Sequence, residues 1–186
     1  MLKTIVEKSY LRINGVIVLT AFIIFMLFIL FVLPNEAERS EKYYGDTPAP
    51  DSSLIYTGED LYRMAEGFGA EGRAYYIRSR FTFDVIWPLA YGFFLWASIA
   101  YFGRALKHQI PRYVVLLPII GVILDYLENT GASLVMFLYP ERMPVIPSLV
   151  PLFTTSKWLI IGAGFLGLMA LIVYRGVIVL SGKSDH

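Results

Sequence analysis

The sequence predicts an all-α protein: a four-helix transmembrane bundle with an extracytoplasmic loop and a short amphipathic helix between the first two spans. Three observations carry that prediction. The chain of 186 residues is 56% hydrophobic and 16% aromatic. Four apolar segments, at about 16–33, 83–102, 113–139 and 149–180, approach or exceed the roughly 20 residues that cross a hydrocarbon core. The Lys and Arg residues flanking those segments concentrate on one side when successive segments alternate in direction.

The first segment, VIVLTAFIIFMLFILFVL, follows Lys3, Lys8 and Arg12 and ends before Pro34. Its apolar run exceeds a signal-peptide core and no A-x-A-like site follows it, so it reads as a retained helix. Residues 34–82 form an extracytoplasmic cap. Its first part, NEAERSEKYYGDTPAPDSS, is polar with Gly and Pro and reads as an irregular surface connection. Thr57 with Asp60 is a capping-box start. Leu61, Met64, Ala65 and Phe68 then recur at helical spacing, with Gly67 and Gly69 as a stop. That pattern describes a helix lying on the outer membrane surface or covering the top of the bundle. From Arg73 nothing interrupts the pattern until Gly103, so the second span is expected to begin well above the bilayer, with Pro88 inside it. GRALKHQIPR places Arg104, Lys107 and Arg112 on the same side as the N-terminus, YPERMP is a short outer turn, and Arg175 and Lys183 close the chain. Both termini are therefore expected to be cytoplasmic, in a single multi-pass domain of the inner (plasma) membrane.

Composition narrows the chemistry. A net charge of +1 gives no basic field for nucleic acid. With no Cys, and His108 and His186 as the only histidines, neither haem nor zinc is expected from this chain alone. Membrane lipids, other membrane proteins or a second copy of the chain are the expected partners.

Helical spacing brings the polar residues together. Arg73, Arg80, Asp84, Trp87 and Tyr91 share one stripe of the second helix, with Arg80 and Asp84 an i,i+4 pair. Asp125, Glu128, Asn129 and Ala132 share a face of the third, and Gly121 and Pro118 extend it. Thr154, Lys157, Trp158 and Ile161 share a face of the fourth. Three helices thus deliver ionisable groups to one depth in the outer half of the membrane. A charge at the bilayer centre costs on the order of 2.5–3.5 kcal/mol, so these groups must pair or neutralise. Arg80 and Lys157 against Asp84, Asp125 and Glu128 leaves one carboxylate unbalanced. The carboxylates with Asn129 also make an all-oxygen donor set, which the neighbouring Arg and Lys oppose, so no metal is assigned. Tyr75, Tyr76, Phe81, Phe83 and Trp87 read as an outer aromatic belt.

The GRAYY, DVIWP and D-x-x-E-N strings, at residues 72–76, 84–88 and 125–129, resemble a group of uncharacterised bacterial four-helix integral membrane proteins. That resemblance implies the same architecture over residues 56–160 and points to Arg73, Asp84, Asp125, Glu128 and Asn129. NTGAS (129–133) is also similar to the Asn-x-Gly-Ala signature of lipoprotein signal peptidases, four-helix enzymes with two catalytic aspartates. The later Asp-containing signature of that family is missing here, because no Asp follows residue 140 until Asp185.

The expectation that follows is an outward-facing buried polar pocket that binds a small amphiphile, a lipid or isoprenoid. Asp84, Asp125 and Glu128 are its candidate acid–base groups. Arg73, Arg80, Trp87, Tyr91, Asn129 and Lys157 are its ligand-binding groups. Two alternatives stand beside it: an accessory subunit whose ion network is structural, and an aspartyl-type intramembrane hydrolase.

Overall fold

The computed structural model describes residues 2–105 and 112–181; Lys107, His108, Lys183 and His186 lie outside the described residues. The described residues are predominantly helical and include no strand, and four of the helices are long and apolar enough to cross a membrane. The elements are α1 (Leu2–Arg12), α2 (Gly15–Leu27), a π-turn (Phe28–Val32), α3 (Leu33–Tyr44), α4 (Gly58–Gly67), α5 (Gly69–Arg80), α6 (Phe83–Phe102), α7 (Leu117–Leu138) and α8 (Ile146–Leu180). Short 3-10 turns at Pro50–Ser52, Gly103–Ala105 and Tyr113–Leu116 join them.

The first span differs from its sequence reading. Helix continues from Gly15 to Tyr44, so residues 34–44 are not an irregular connection. Two features account for this. Pro34 sits at the start of α3, directly after the π-turn, where its missing N–H is tolerated. Beyond it, Glu, Ala, Arg and Lys are strong helix formers. α3 thereby carries Glu36 to α5, where Glu36 Oε1 accepts from Tyr75 Oη (2.7 Å) and Ser79 Oγ (2.6 Å).

The second span also departs from expectation. α5 ends at Arg80, Phe81 and Thr82 turn, and α6 restarts at Phe83. Thr82 has the non-helical pair φ −123°, ψ −79°, and its Oγ1 bonds back to the Arg78 carbonyl at 2.7 Å. A threonine hydroxyl competing for a carbonyl one turn back is the local reason the helix breaks there. Pro88 is buried inside α6, which runs on unbroken.

α4 begins on the expected capping box, with Thr57 and Asp60 bonding reciprocally. Its apolar side buries Leu61, Tyr62, Met64 and Ala65 against α7 and α8. The helix therefore covers the bundle top. Tyr75 and Tyr76 are interior residues of this cap, not belt residues, with Tyr43 stacked on Tyr75 at 4.3 Å and Tyr44 on Phe68 at 4.2 Å.

α7 and α8 form the central antiparallel pair, α6 packs against both, and α2 packs chiefly against α6. Two apolar cores result. One joins Val6, Tyr10, Ile13, Leu95, Ile99, Val115 and Leu168 at the end where Arg104 and Arg112 lie. The other joins Leu61, Tyr76, Val135, Met136 and Val150 beneath the cap. The polar faces of α7 and α8 fall between these two cores.

Candidate functional site

On α7 the buried positions are Pro118, Gly121, Asp125, Glu128, Asn129, Ala132 and Ser133, with Val135 and Met136 beyond, so the expected polar face points inward. On α8 the buried face runs Val150, Thr154, Lys157, Ile161 and Gly164. At that depth Lys157 Nζ lies 2.5 Å from Glu128 Oε2 and 3.8 Å from Asp125 Oδ1. Asp125 also accepts from Tyr91 Oη (2.8 Å, Oδ2) and from Asn129 Nδ2 (2.9 Å, Oδ1). Asn129 thus fixes one carboxylate oxygen while Tyr91, from α6, fixes the other. Glu128 is fully enclosed, and Lys157 is its sole charged partner among the described residues.

A second charge group lies at the junction of α5 and α6. Arg80 and Asp84 bridge the helix break and form the expected ion pair. Arg80 Nη1 also donates to Asp51 Oδ2 at 3.1 Å. Asp51 lies outside the membrane-length helices, in the Pro50–Ser52 turn of the cap. Burial raises its carboxyl affinity for protons, but Arg80 and then Lys157 outweigh that and hold it below the ordinary carboxylate range. Burial likewise opposes the charged form of Arg80, and Asp51 leads the groups that keep its guanidinium protonated well above its ordinary range. The Arg80 guanidinium also lies 4.4 Å from the centre of the Tyr76 ring.

Asp51 is the residue that reasoning from the sequence missed. It belongs to no periodic segment, and its only signal is an acidic residue set in a Pro-rich turn. Arg73 is the residue that the structure moves away. It donates to the Ala65 carbonyl at 2.8 Å and lies over the Tyr139 ring at 4.6 Å, tying α5 to α4 and to the α7–α8 turn. The physical reason is distance along the helix: Arg73 keeps the face of Arg80 on the unbroken α5 but stands seven residues, roughly 10 Å, further into the cap.

The two groups reach one cavity of about 390 Å³. Its polar side is formed by Asp51, Arg80, Asp84, Asp125 and Lys157, with Tyr91 and Trp87 from α6. The remaining side is apolar: Phe25, Ile29 and Leu33 along the first span face Trp158, Ile161 and Phe165 of α8. Phe25 stacks on Trp87 (5.9 Å between centroids) and approaches Phe165 (6.2 Å), so aromatic rings link the first span to α6 and α8 along the apolar side. Glu128 and Asn129 stand behind this wall. Six ionisable groups therefore act together, four carboxylates and two cations. Among the described residues no cluster of three or more carboxylate or His side chains is arranged to hold a metal ion.

The fold and site define a bundle of four membrane-length apolar helices enclosing a charged chamber. No protein-family model, curated protein or solved structure matches the chain.

Proposed function

We propose that this is a multi-pass protein of the inner (plasma) membrane that binds a small amphiphile, a lipid or isoprenoid, in the chamber between α2, α6, α7 and α8. The observation that carries the reading is the division of the cavity lining. Ionised groups form one side and aromatic and aliphatic side chains the other, which matches a molecule with a polar head and a hydrocarbon tail. Orientation follows from charge: Arg12, Arg104, Arg112 and Arg175 lie at the end opposite the cap, which the positive-inside rule assigns to the cytoplasm. The chamber, on the cap side, then faces outward.

Asp125 is set up to orient a headgroup or exchange a proton with it, because Tyr91 and Asn129 hold its two oxygens separately. The aspartyl-hydrolase alternative gains less support. Asp125 is held at both oxygens by Tyr91 and Asn129, with Lys157 beside it, so it is not free to share a proton with Asp84.

Native mass spectrometry of the full chain released from mild detergent tests the reading. The wild type should carry a bound lipid-class molecule, and Asp125→Asn should remain folded and lose it. A wild type that carries nothing specific, or a fixed set of co-purifying subunits in place of a ligand, would favour the accessory-subunit alternative.

A further inference from the structure

The charge count of the chamber specifies the headgroup. This step rests on the amphiphile reading and names the class of ligand within it. Arg80 is shared by Asp51 and Asp84, and Lys157 by Asp125 and Glu128. Each group is one cation between two carboxylates, and each carries an excess negative charge with its members ionised. Both groups contribute to the same cavity wall.

Both cations are already committed to carboxylates. Arg80 Nη1 already donates to two carboxylates, and its Nε, which has no acceptor, is enclosed by protein. Lys157 is within 4 Å of two carboxylates and lies 5.3 Å from the Trp158 ring centre. The carboxylates do have capacity. Asp84 is 4% exposed and lines the cavity, yet its Oδ1 makes no hydrogen bond to any described residue. Trp87 and Tyr91 meet edge to face beside it, at 5.5 Å and 70°, and aromatic rings attract cations through their quadrupole. The carboxylates are spread along the wall and do not converge, an arrangement suited to the diffuse charge of an ammonium and poorly suited to the tight shell of a divalent metal.

We infer that the chamber binds a cationic amphiphile, an alkyl ammonium whose head sits among Asp51, Asp84 and Asp125 beside Trp87 and Tyr91, and whose chain runs out past Phe25 and Phe165. Binding of three probes of equal chain length, dodecyltrimethylammonium, dodecanol and dodecyl sulfate, decides it. Each would be titrated below its micellar concentration into the detergent-solubilised full chain, with adducts counted by native mass spectrometry and Trp fluorescence followed alongside. The ammonium should bind about tenfold more tightly than the alcohol, with the sulfate weakest. Asp84→Asn should remove most of that preference. Should Asp84→Asn not fold, Asp51→Asn in the cap turn serves, and should narrow the gap between the ammonium and the alcohol. Equal or better binding of the alcohol or the sulfate would overturn the cationic headgroup and leave the amphiphile reading standing. Failure of all three chains to bind would overturn both.

Discussion

Lys157 shows how little freedom the buried charges have. The residue is 4% exposed, and its Nζ sits between Asp125 and a Glu128 with no solvent access at all. Removing one partner of a buried pair strands the other, which costs more than the pair itself contributes. Lys157→Met should therefore lower stability by about 3–5 kcal/mol, read as a fall in the thermal midpoint in detergent. Lys157→Met combined with Glu128→Gln should recover much of it, because the second change neutralises the stranded carboxylate. A double variant no more stable than the single would show that Glu128 is not the group left unpaired. These positions were legible in the sequence because i,i+3 and i,i+4 spacing puts Asp125, Glu128 and Asn129 on one face with no information beyond helical geometry. Asp51 was not legible. Its place beside Arg80 is set by the path of the cap turn, and the balance it changes, from three carboxylates to four, is the basis of the cationic reading.

Among the elements, the apolar stretches were readable and their punctuation was less so. α6 starts and ends where the hydropathy does, at Phe83 and Phe102. The break before it is set by one threonine hydroxyl, and the continuation of α2 into α3 by a π-turn that absorbs Pro34; neither has a periodic signature. α1 did leave a signal, since Val6, Tyr10 and Ile13 keep helical spacing and are all buried, with Tyr10 Oη donating to the Arg112 carbonyl at 2.8 Å. The capping box of α4 was read correctly and makes a pH prediction. Thr57 side-chain and backbone hydrogen bonds, with Arg63, lower the Asp60 carboxyl from 3.8 to about 2. A lowered folded-state value means its stabilisation is complete above 3.8 and is lost as pH falls through about 2. Hydrogen exchange at the first turn of α4, corrected for intrinsic rates, should accelerate across that window, and Asp60→Asn should abolish the pH dependence. Gly72 tests the cap's other seam. A Cβ there would lie 2.7 Å from the Tyr43 carbonyl oxygen and 2.9 Å from Phe68 Cβ. Because the first obstacle is backbone, Gly72→Ala should push α3 from α5 and cost about 1–3 kcal/mol, seen as faster proteolysis within residues 34–55.

For the molecule as a whole, the four membrane-length helices followed from four apolar stretches, whereas the apolar side of the chamber depends on which of them touch. α2 packs chiefly on α6, and within its apolar run Ala21 is the buried residue, so this helix forms one wall and leaves its flank towards α8 bridged by side chains. No periodicity reveals that, because a helix that is apolar on every side gives no direction for packing. The bridge is Phe25 against Phe165, 6.2 Å apart between ring centres. A ligand drawn from the bilayer would enter between these rings, and the absence of cysteine makes the route testable, since introduced thiols would be the only ones in the chain. Phe25→Cys with Phe165→Cys, joined by a short cleavable bis-thiol reagent, should slow both uptake and release of a bound amphiphile relative to the same double variant left unjoined. Equilibrium occupancy should stay close to that of the unjoined protein, because the charged wall is untouched. Cleaving the linker should restore the rates. Uptake equally fast with the linker in place would move the entrance elsewhere, towards the cap at Asp51, and would turn the first span from a gate into a fixed wall.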